Sequence, residues 1–336
     1  MNSSHLEESD DFRRIVALGK NTASYKFALA QSLLELGATQ ADFVALEDLA
    51  LPFATRIADH LARYRQGVMQ QSRFLSACHF YNAGRITIDD LRNATVELGF
   101  RDVISAFHLV GGSPTNTRFY VDERRGAGVP GLRLTDAITR LAVSSQTAET
   151  LDRETEGRWN LVENAWQVRL EHRTDLVVDY DAPTDSIVDG VTGTRKRITH
   201  AKWPMSSYQG DRCFYCQTTI SILPGRGNTA HVDHYFPHSL MARGFPWHLD
   251  GPWNLVLACS QCNAGSGGKF ARIPSEKFLA ALAMRNESLI ASQLPLRESI
   301  ISVTGGSEQA RRRFLKSADE LAANSFGLGA NRWRPP

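Results

Sequence analysis

Cys213-Phe-Tyr-Cys216, followed after 42 residues by Cys259-Ser-Gln-Cys262, decides the reading of this chain. Two CxxC pairs supply four thiolates, and four soft sulfur ligands with no open position are the donor set of a structural Zn2+ site. Disulfides would need an oxidising compartment, and a redox CxxC would not need a second copy. The fifth cysteine, Cys78, lies in Phe74-Leu-Ser-Ala-Cys-His-Phe80 and reads as a small buried hydrophobe, with His79 a helix residue rather than a ligand. The first residues are polar and acidic, and no apolar run reaches the roughly 20 residues of a membrane span, so a cytoplasmic protein with no membrane contact is expected.

Between the two cysteine pairs stand His231-Val-Asp-His234-Tyr-Phe-Pro237, a loop carrying Gly244, Pro246, Gly251 and Pro252, and Asn254-Leu-Val-Leu-Ala-Cys259, with Asn263 directly after Cys262. This run resembles the HNH, or ββα-metal, nuclease family in its zinc-stapled bacterial form. The shared features are a strand ending in Asp-His, a loop, a strand opening on Asn-Leu, and a CxxC-Asn entering a helix. The resemblance implies a metal-dependent endonuclease hydrolysing DNA phosphodiester bonds. In it His234 is the general base, Asp233 and Asn263 give oxygens to a catalytic Mg2+ or Mn2+, and Asn254 braces the loop and helps orient the base. Cys213, Cys216, Cys259 and Cys262 then hold the structural Zn2+. The chemistry is coherent: a neutral imidazole, with its ordinary pKa of about 6.5, can take a proton from water while a divalent cation neutralises phosphate charge.

Neighbouring residues carry further expectations. Alternation puts His231 on the strand face of Asp233, from which it can turn into the site, while His238 and His248 fall in the loop and read as solvated. Family members carry a lysine soon after the last asparagine, whereas here Ala264-Gly-Ser-Gly-Gly268 separates Asn263 from Lys269. Either the helix starts late or the glycines let backbone amides approach a phosphate, and Lys269 is either solvated or a phosphate contact. Fainter likenesses at Asn21-Thr-Ala-Ser-Tyr-Lys-Phe27, Phe270-Ala-Arg-Ile-Pro-Ser275 and Arg285-Asn-Glu-Ser-Leu-Ile290 imply restriction or antiphage defence.

A length of 336 residues favours two domains, and the turn formers from Asp181-Ala-Pro-Thr-Asp185 to Gly193 suggest the boundary. The expected class is α+β: a mostly helical domain over 1–190, then a zinc-stapled ββα-metal domain with C-terminal helices over 195–336. Residues 1–194 hold 20 Lys+Arg against 27 Asp+Glu, a balance of −7, and residues 195–336 hold 18 against 9, a balance of +9. That asymmetry points the second half at a polyanion, DNA first, and leaves the first half a partner protein, a signal or a recognition role. Helices are expected from the Tyr25, Leu29, Leu33, Leu36 stripe after Ser24, from the Phe53, Ile57, Leu61, Tyr64 stripe, and from a capping box at Thr87-Ile-Asp-Asp90. Further helices should span Thr135 to Ala142 and Arg158 to His172, and should follow Ser275 and Ser307; Arg118–Val121 and Leu176–Tyr180 read as strands.

Three other readings remain open. The second half could bind nucleic acid without catalysis, using Arg195, Lys196, Arg197, Arg311, Arg312 and Arg313 on phosphates. It could cleave RNA, or it could be an interaction module stapled by zinc.

Overall fold

The protein is described by a computed structural model covering residues 3–18, 24–63, 72–126, 128–170, 177–189, 197–225, 227–291, 296–327 and 332–336. It is a mixed α+β chain of two compact units, Met1–Arg173 and Thr174–Pro336. No helix among the described residues is long and apolar enough to cross a membrane.

The first unit is mostly helical, with α1 (Ser3–Leu18), α2 (Tyr25–Gly37), α3 (Leu46–Arg63), α4 (Arg73–Asn82), α5 (Ile88–Ala94), α6 (Val103–Ala106), α7 (Asp136–Val143) and α8 (Ser145–Leu170). Its strands are β1 (Phe43–Ala45), β2 (Leu109–Val110), β3 (Ser113–Pro114), β4 (Tyr120–Asp122) and β5 (Gly131–Leu134), with β5 between β1 and β4 and β2 paired to β3. Leu29 and Leu33 of the first expected stripe and Phe53, Ile57 and Leu61 of the second are buried, while Tyr25 and Leu36 are half-buried; Phe27, Phe74 and Trp159, outside both stripes, complete this core. The expected capping box forms, Asp90 Oδ2 accepting from Thr87 N at 2.9 Å and Thr87 Oγ1 from Asp90 N at 3.2 Å. Ser24, a candidate cap by its place before the stripe, stands at the N-cap position of α2 but makes no side-chain capping bond, its hydroxyl instead donating to the buried Glu163 at 2.9 Å. Glu163 also takes Trp159 Nε1 at 2.6 Å and pairs with His60 Nδ1 at 2.7 Å, and the His60 ring stacks on Trp159 at 3.5 Å. Cys78 is fully buried in α4, and burial pushes its thiol up to about 12, as a small hydrophobe requires. Tyr64, His172 and Leu176 lie outside the described residues.

The second unit opens with the antiparallel sheet β6 (Val178–Asp181), β7 (Ser186–Asp189) and β8 (Arg197–His200), continues with α9 (Lys202–Gln209), and reaches the hairpin of β9 (Ala230–His234) and β10 (Leu255–Cys259). It closes with α10 (Ser260–Ala264), α11 (Lys277–Ala291), α12 (Leu296–Thr304) and α13 (Glu308–Ser325). Ser307 caps α13, accepting from Ala310 N at 3.2 Å. Arg285 and Asn286 of α11 are buried and bind the turn before β10, Arg285 donating to the carbonyls of Pro252 and Leu255 and Asn286 to that of Trp253 at 3.0 Å.

The domain boundary therefore differs from the expected one. Asp181-Ala-Pro-Thr-Asp185 is the tight connection of the β6–β7 hairpin, with Asp185 left-handed at φ 47°, rather than an interdomain linker. Turn formers mark a hairpin reversal as readily as a linker, because both need the same backbone conformations. Moving the cut to 173/174 shifts five aspartates into the second unit and changes the charge contrast. The first unit holds 20 Lys+Arg against 22 Asp+Glu, and the second 18 against 14. Charge alone no longer separates the roles of the two units.

Candidate functional site

The cysteine pairs meet as their spacing predicts. Cys213 and Cys216 flank a tight turn closed by Gln217 N donating to Cys213 O at 3.0 Å, and Cys213 N and Phe214 N tie this turn to Thr218 O and Leu257 O, both at 2.9 Å. Cys259 ends β10 and caps α10, its sulfur accepting from Cys262 N at 3.3 Å. The four sulfurs lie within 4.8 Å of one another, and Cys216 Sγ to Cys259 Sγ is 3.8 Å. A tetrahedron of Zn–S bonds of about 2.3 Å has edges of about 3.8 Å, so the cluster fits a metal ion such as Zn2+. Burial raises the Cys213 thiol to about 11, whereas at Cys216 the hydrogen bonds of Thr218 outweigh burial and bring it to about 7.

The hairpin between the knuckles pairs Leu255 with His234, Val256 with Asp233 and Cys259 with Ala230. Successive side chains alternate faces, so Asp233 and His234 part company. Asp233 is buried, with Oδ2 accepting from Tyr215 OH at 2.6 Å and Oδ1 from Lys269 Nζ at 3.2 Å. Lys269 is fully buried and also donates to His234 O at 2.6 Å. Burial lowers the lysine pKa, opposed by the Asp233 charge beside it. Lys269 is thus neither of the two things expected, a solvated side chain or a phosphate contact. Helix α10 stops at Ala264, and the glycine loop folds the chain back so that Lys269 N reaches Cys262 O at 2.7 Å. Glycine is needed there: a Cβ on Gly265 would stand 2.7 Å from the Gln261 Cα, and one on Gly268 2.8 Å from the Gly265 backbone.

Asn254 does brace the loop. It is fully buried, its Oδ1 accepts from Phe236 N at 2.8 Å, and its Nδ2 donates to Phe236 O at 3.0 Å and Leu249 O at 2.9 Å. Asn263 is half-exposed, and its side-chain amide has no hydrogen-bonding partner among the described residues. The Asp233 carboxylate does not fit a divalent cation in this arrangement, because both oxygens are engaged and a buried ammonium already lies beside them. His231 opposes Ala258 in the ladder and shares the Asp233 face, away from that of His234.

His234 is half-buried at the end of β9, and its Nε2 lies 2.8 Å from Asp250 Oδ1. Tyr180 of β6 packs a tilted ring at 5.8 Å from the imidazole. His238 and His248 are exposed, as expected of loop residues, yet both turn toward Asp250 Oδ2, at 3.7 and 3.6 Å, and His248 Nδ1 is 3.4 Å from Asp179 Oδ1. Burial would raise the Asp250 carboxyl, but the His234 hydrogen bond and the three imidazoles outweigh it and hold the pKa below the ordinary value. Reading the sequence missed Asp250, although it is the one acidic residue between Tyr235 and Asn254. That isolation in a long loop was the available signal.

Of the basic residues expected on phosphates, Arg311 is buried against Glu287 at 2.7 Å, and Arg312 pairs with Glu308 at 2.9 Å. Arg313 and Arg197 are exposed. Arg195 and Lys196 lie outside the described residues. Comparison with family models, curated proteins and solved structures finds no match to this chain.

Proposed function

We propose that the second unit is an HNH-type endonuclease hydrolysing phosphodiester bonds in nucleic acid, with DNA as the first candidate substrate. The observation that carries this reading is the conjunction of His234 with a carboxylate partner at the end of a hairpin whose flanking loops are gathered by four cysteines. Phosphodiester hydrolysis needs an acceptor for the proton of the attacking water, and a half-buried imidazole is suited to that task near neutral pH. Zn2+ on the four cysteines would serve as a clamp. It fixes the relative position of the two loops in a segment too small to hold itself by apolar packing alone. Asn254 supports the same geometry by satisfying three backbone groups of the loop that carries Asp250.

The Asp233–Lys269 pair favours a second reading, a zinc-clamped module that binds nucleic acid without cutting it, because it occupies the carboxylate that the family resemblance assigns to Mg2+ or Mn2+. The test separates the two. Full-length zinc-loaded protein is incubated with plasmid DNA, modified phage DNA, single strands and RNA, with Mg2+, with Mn2+ and with EDTA, alongside His234→Ala. Cleavage that disappears in His234→Ala while binding persists supports the nuclease. Binding without cleavage by the wild type, under every condition, supports the module. Cleavage of RNA alone reassigns the substrate.

A further inference from the structure

Two carboxylates flank His234, and they differ in what they face. Asp233 is its neighbour in sequence but lies on the other strand face, with one oxygen on Tyr215 and one on Lys269. Asp250 is sixteen residues away and meets the imidazole directly at 2.8 Å. The backbone of Asp250 and of the two residues before it is held at three carbonyls. Tyr180 N donates to Asp250 O at 2.8 Å, Asn254 Nδ2 to Leu249 O at 2.9 Å, and Trp253 Nε1 to His248 O at 3.1 Å. Three consecutive carbonyls are thus fixed by β6, by the bracing asparagine and by a buried tryptophan, so the carboxylate is presented by a rigid segment although it belongs to a loop.

We propose that Asp250 is the positioning residue of this site, holding the Nε2 edge of His234 so that Nδ1 is the atom that accepts a proton. The inference rests on the nuclease reading for its chemical purpose and on the geometry for the placement. An ionised carboxylate only accepts hydrogen bonds, so the imidazole must donate its Nε2–H to Asp250 and carry its lone pair on Nδ1. A carboxylate in this position selects the tautomer, fixes the plane of the ring, and stabilises the imidazolium that forms when the proton arrives. His238 and His248 stand near the other oxygen at 3.7 and 3.6 Å, leaving Oδ1 to His234.

The experiment uses the full zinc-loaded chain and the variants Asp250→Ala and Asp250→Glu, with zinc content and circular dichroism as checks on the fold. On a nucleic acid that the wild type cuts, Asp250→Ala should lower kcat on the order of 100-fold, the scale of one general base, with KM changed by less than about threefold. Asp250→Glu should recover part of kcat. In parallel, NMR of histidine-labelled protein at mildly alkaline pH should show a slowly exchanging Nε2–H proton for His234, assigned by its loss in His234→Gln. That proton should vanish in Asp250→Ala and return in Asp250→Glu. A folded Asp250→Ala protein that keeps wild-type kcat, or keeps the Nε2–H signal, overturns the inference. Should the wild type cut nothing, the nuclease reading fails, and the NMR signal still decides whether Asp250 holds His234.

Discussion

Lys269→Met tests the least anticipated contact in the second unit. The ammonium is fully buried between Asp233 Oδ1 and His234 O, and methionine keeps the length of the side chain while removing its charge. What remains is a buried carboxylate whose one side-chain partner among the described residues is the Tyr215 hydroxyl. Removing one member of a buried ion pair costs about 3–5 kcal/mol, most of it from the orphaned charge. With a urea dependence of about 2 kcal/mol per molar, the unfolding midpoint should fall by roughly 2 M. The double variant Lys269→Met with Asp233→Asn removes both charges and should be more stable than Lys269→Met alone, since no charge is stranded. Urea titrations of the zinc-loaded chain, followed by tryptophan fluorescence, measure all three proteins. A Lys269→Met midpoint indistinguishable from wild type would refute the buried pair. Unchanged stability with tighter divalent-cation binding would return Asp233 to the role of metal ligand.

Metal analysis of purified protein should find about one Zn2+ per chain, and Cys213→Ser or Cys259→Ser should release it and unfold the second unit, monitored by circular dichroism, because binding and folding free energy are shared in such sites. Asn254→Ala strands three buried backbone groups and should cost about 3 kcal/mol in the same urea assay. In the first unit, burial pulls the His60 pKa down, but Glu156 and Glu163 outweigh it and the pKa is raised. The folded state therefore holds this proton more tightly than the unfolded chain. The resulting stability is fully present below the unfolded value of about 6.5 and is lost as pH rises through the folded one, so thermal unfolding across this range should show a downward trend that His60→Gln flattens.

What the sequence revealed and what it hid divide along sequence separation. The cysteine pairs are legible because each CxxC is local and only one long gap must close. Thr87 and Asp90 are legible because a capping box spans a single helical turn. Asn254 is legible through family resemblance, and its three hydrogen bonds account for why an asparagine stands there. Lys269 was misjudged because its burial depends on a contact 36 residues back, made through a glycine loop whose turn cannot be inferred from composition. The isolation of Asp250 in its loop marks it as a candidate, but an aspartate before Gly-Pro does not by itself show that the chain returns it to a histidine sixteen positions earlier. The boundary was misplaced for a related reason: Pro and Asp in Ala182–Thr184 and its flanks mark a reversal, and only the pairing of β6 with β7 shows that the chain stays in the same unit.

The backbone bond from Tyr180 to Asp250 bears on how this region could be moved or inherited. The segment from Cys213 to Lys269 holds the cysteines and the histidine, and so invites treatment as a portable cassette. Yet one support of its Asp250 comes from a strand more than thirty residues upstream, and the turn before β10 is gripped by Arg285 and Asn286 from a helix downstream. A graft limited to the cassette would carry the chemistry without its scaffolding. The supports do not end with α11: Val178 N of β6 donates to Ser299 Oγ of α12 at 2.8 Å, and the Trp253 ring meets Phe314 of α13 at 5.1 Å. Recombination or design that moves the whole unit, Thr174–Pro336, carries every one of these contacts with the His234–Asp250 pair, whereas a cut at 195 discards the strand that helps hold it.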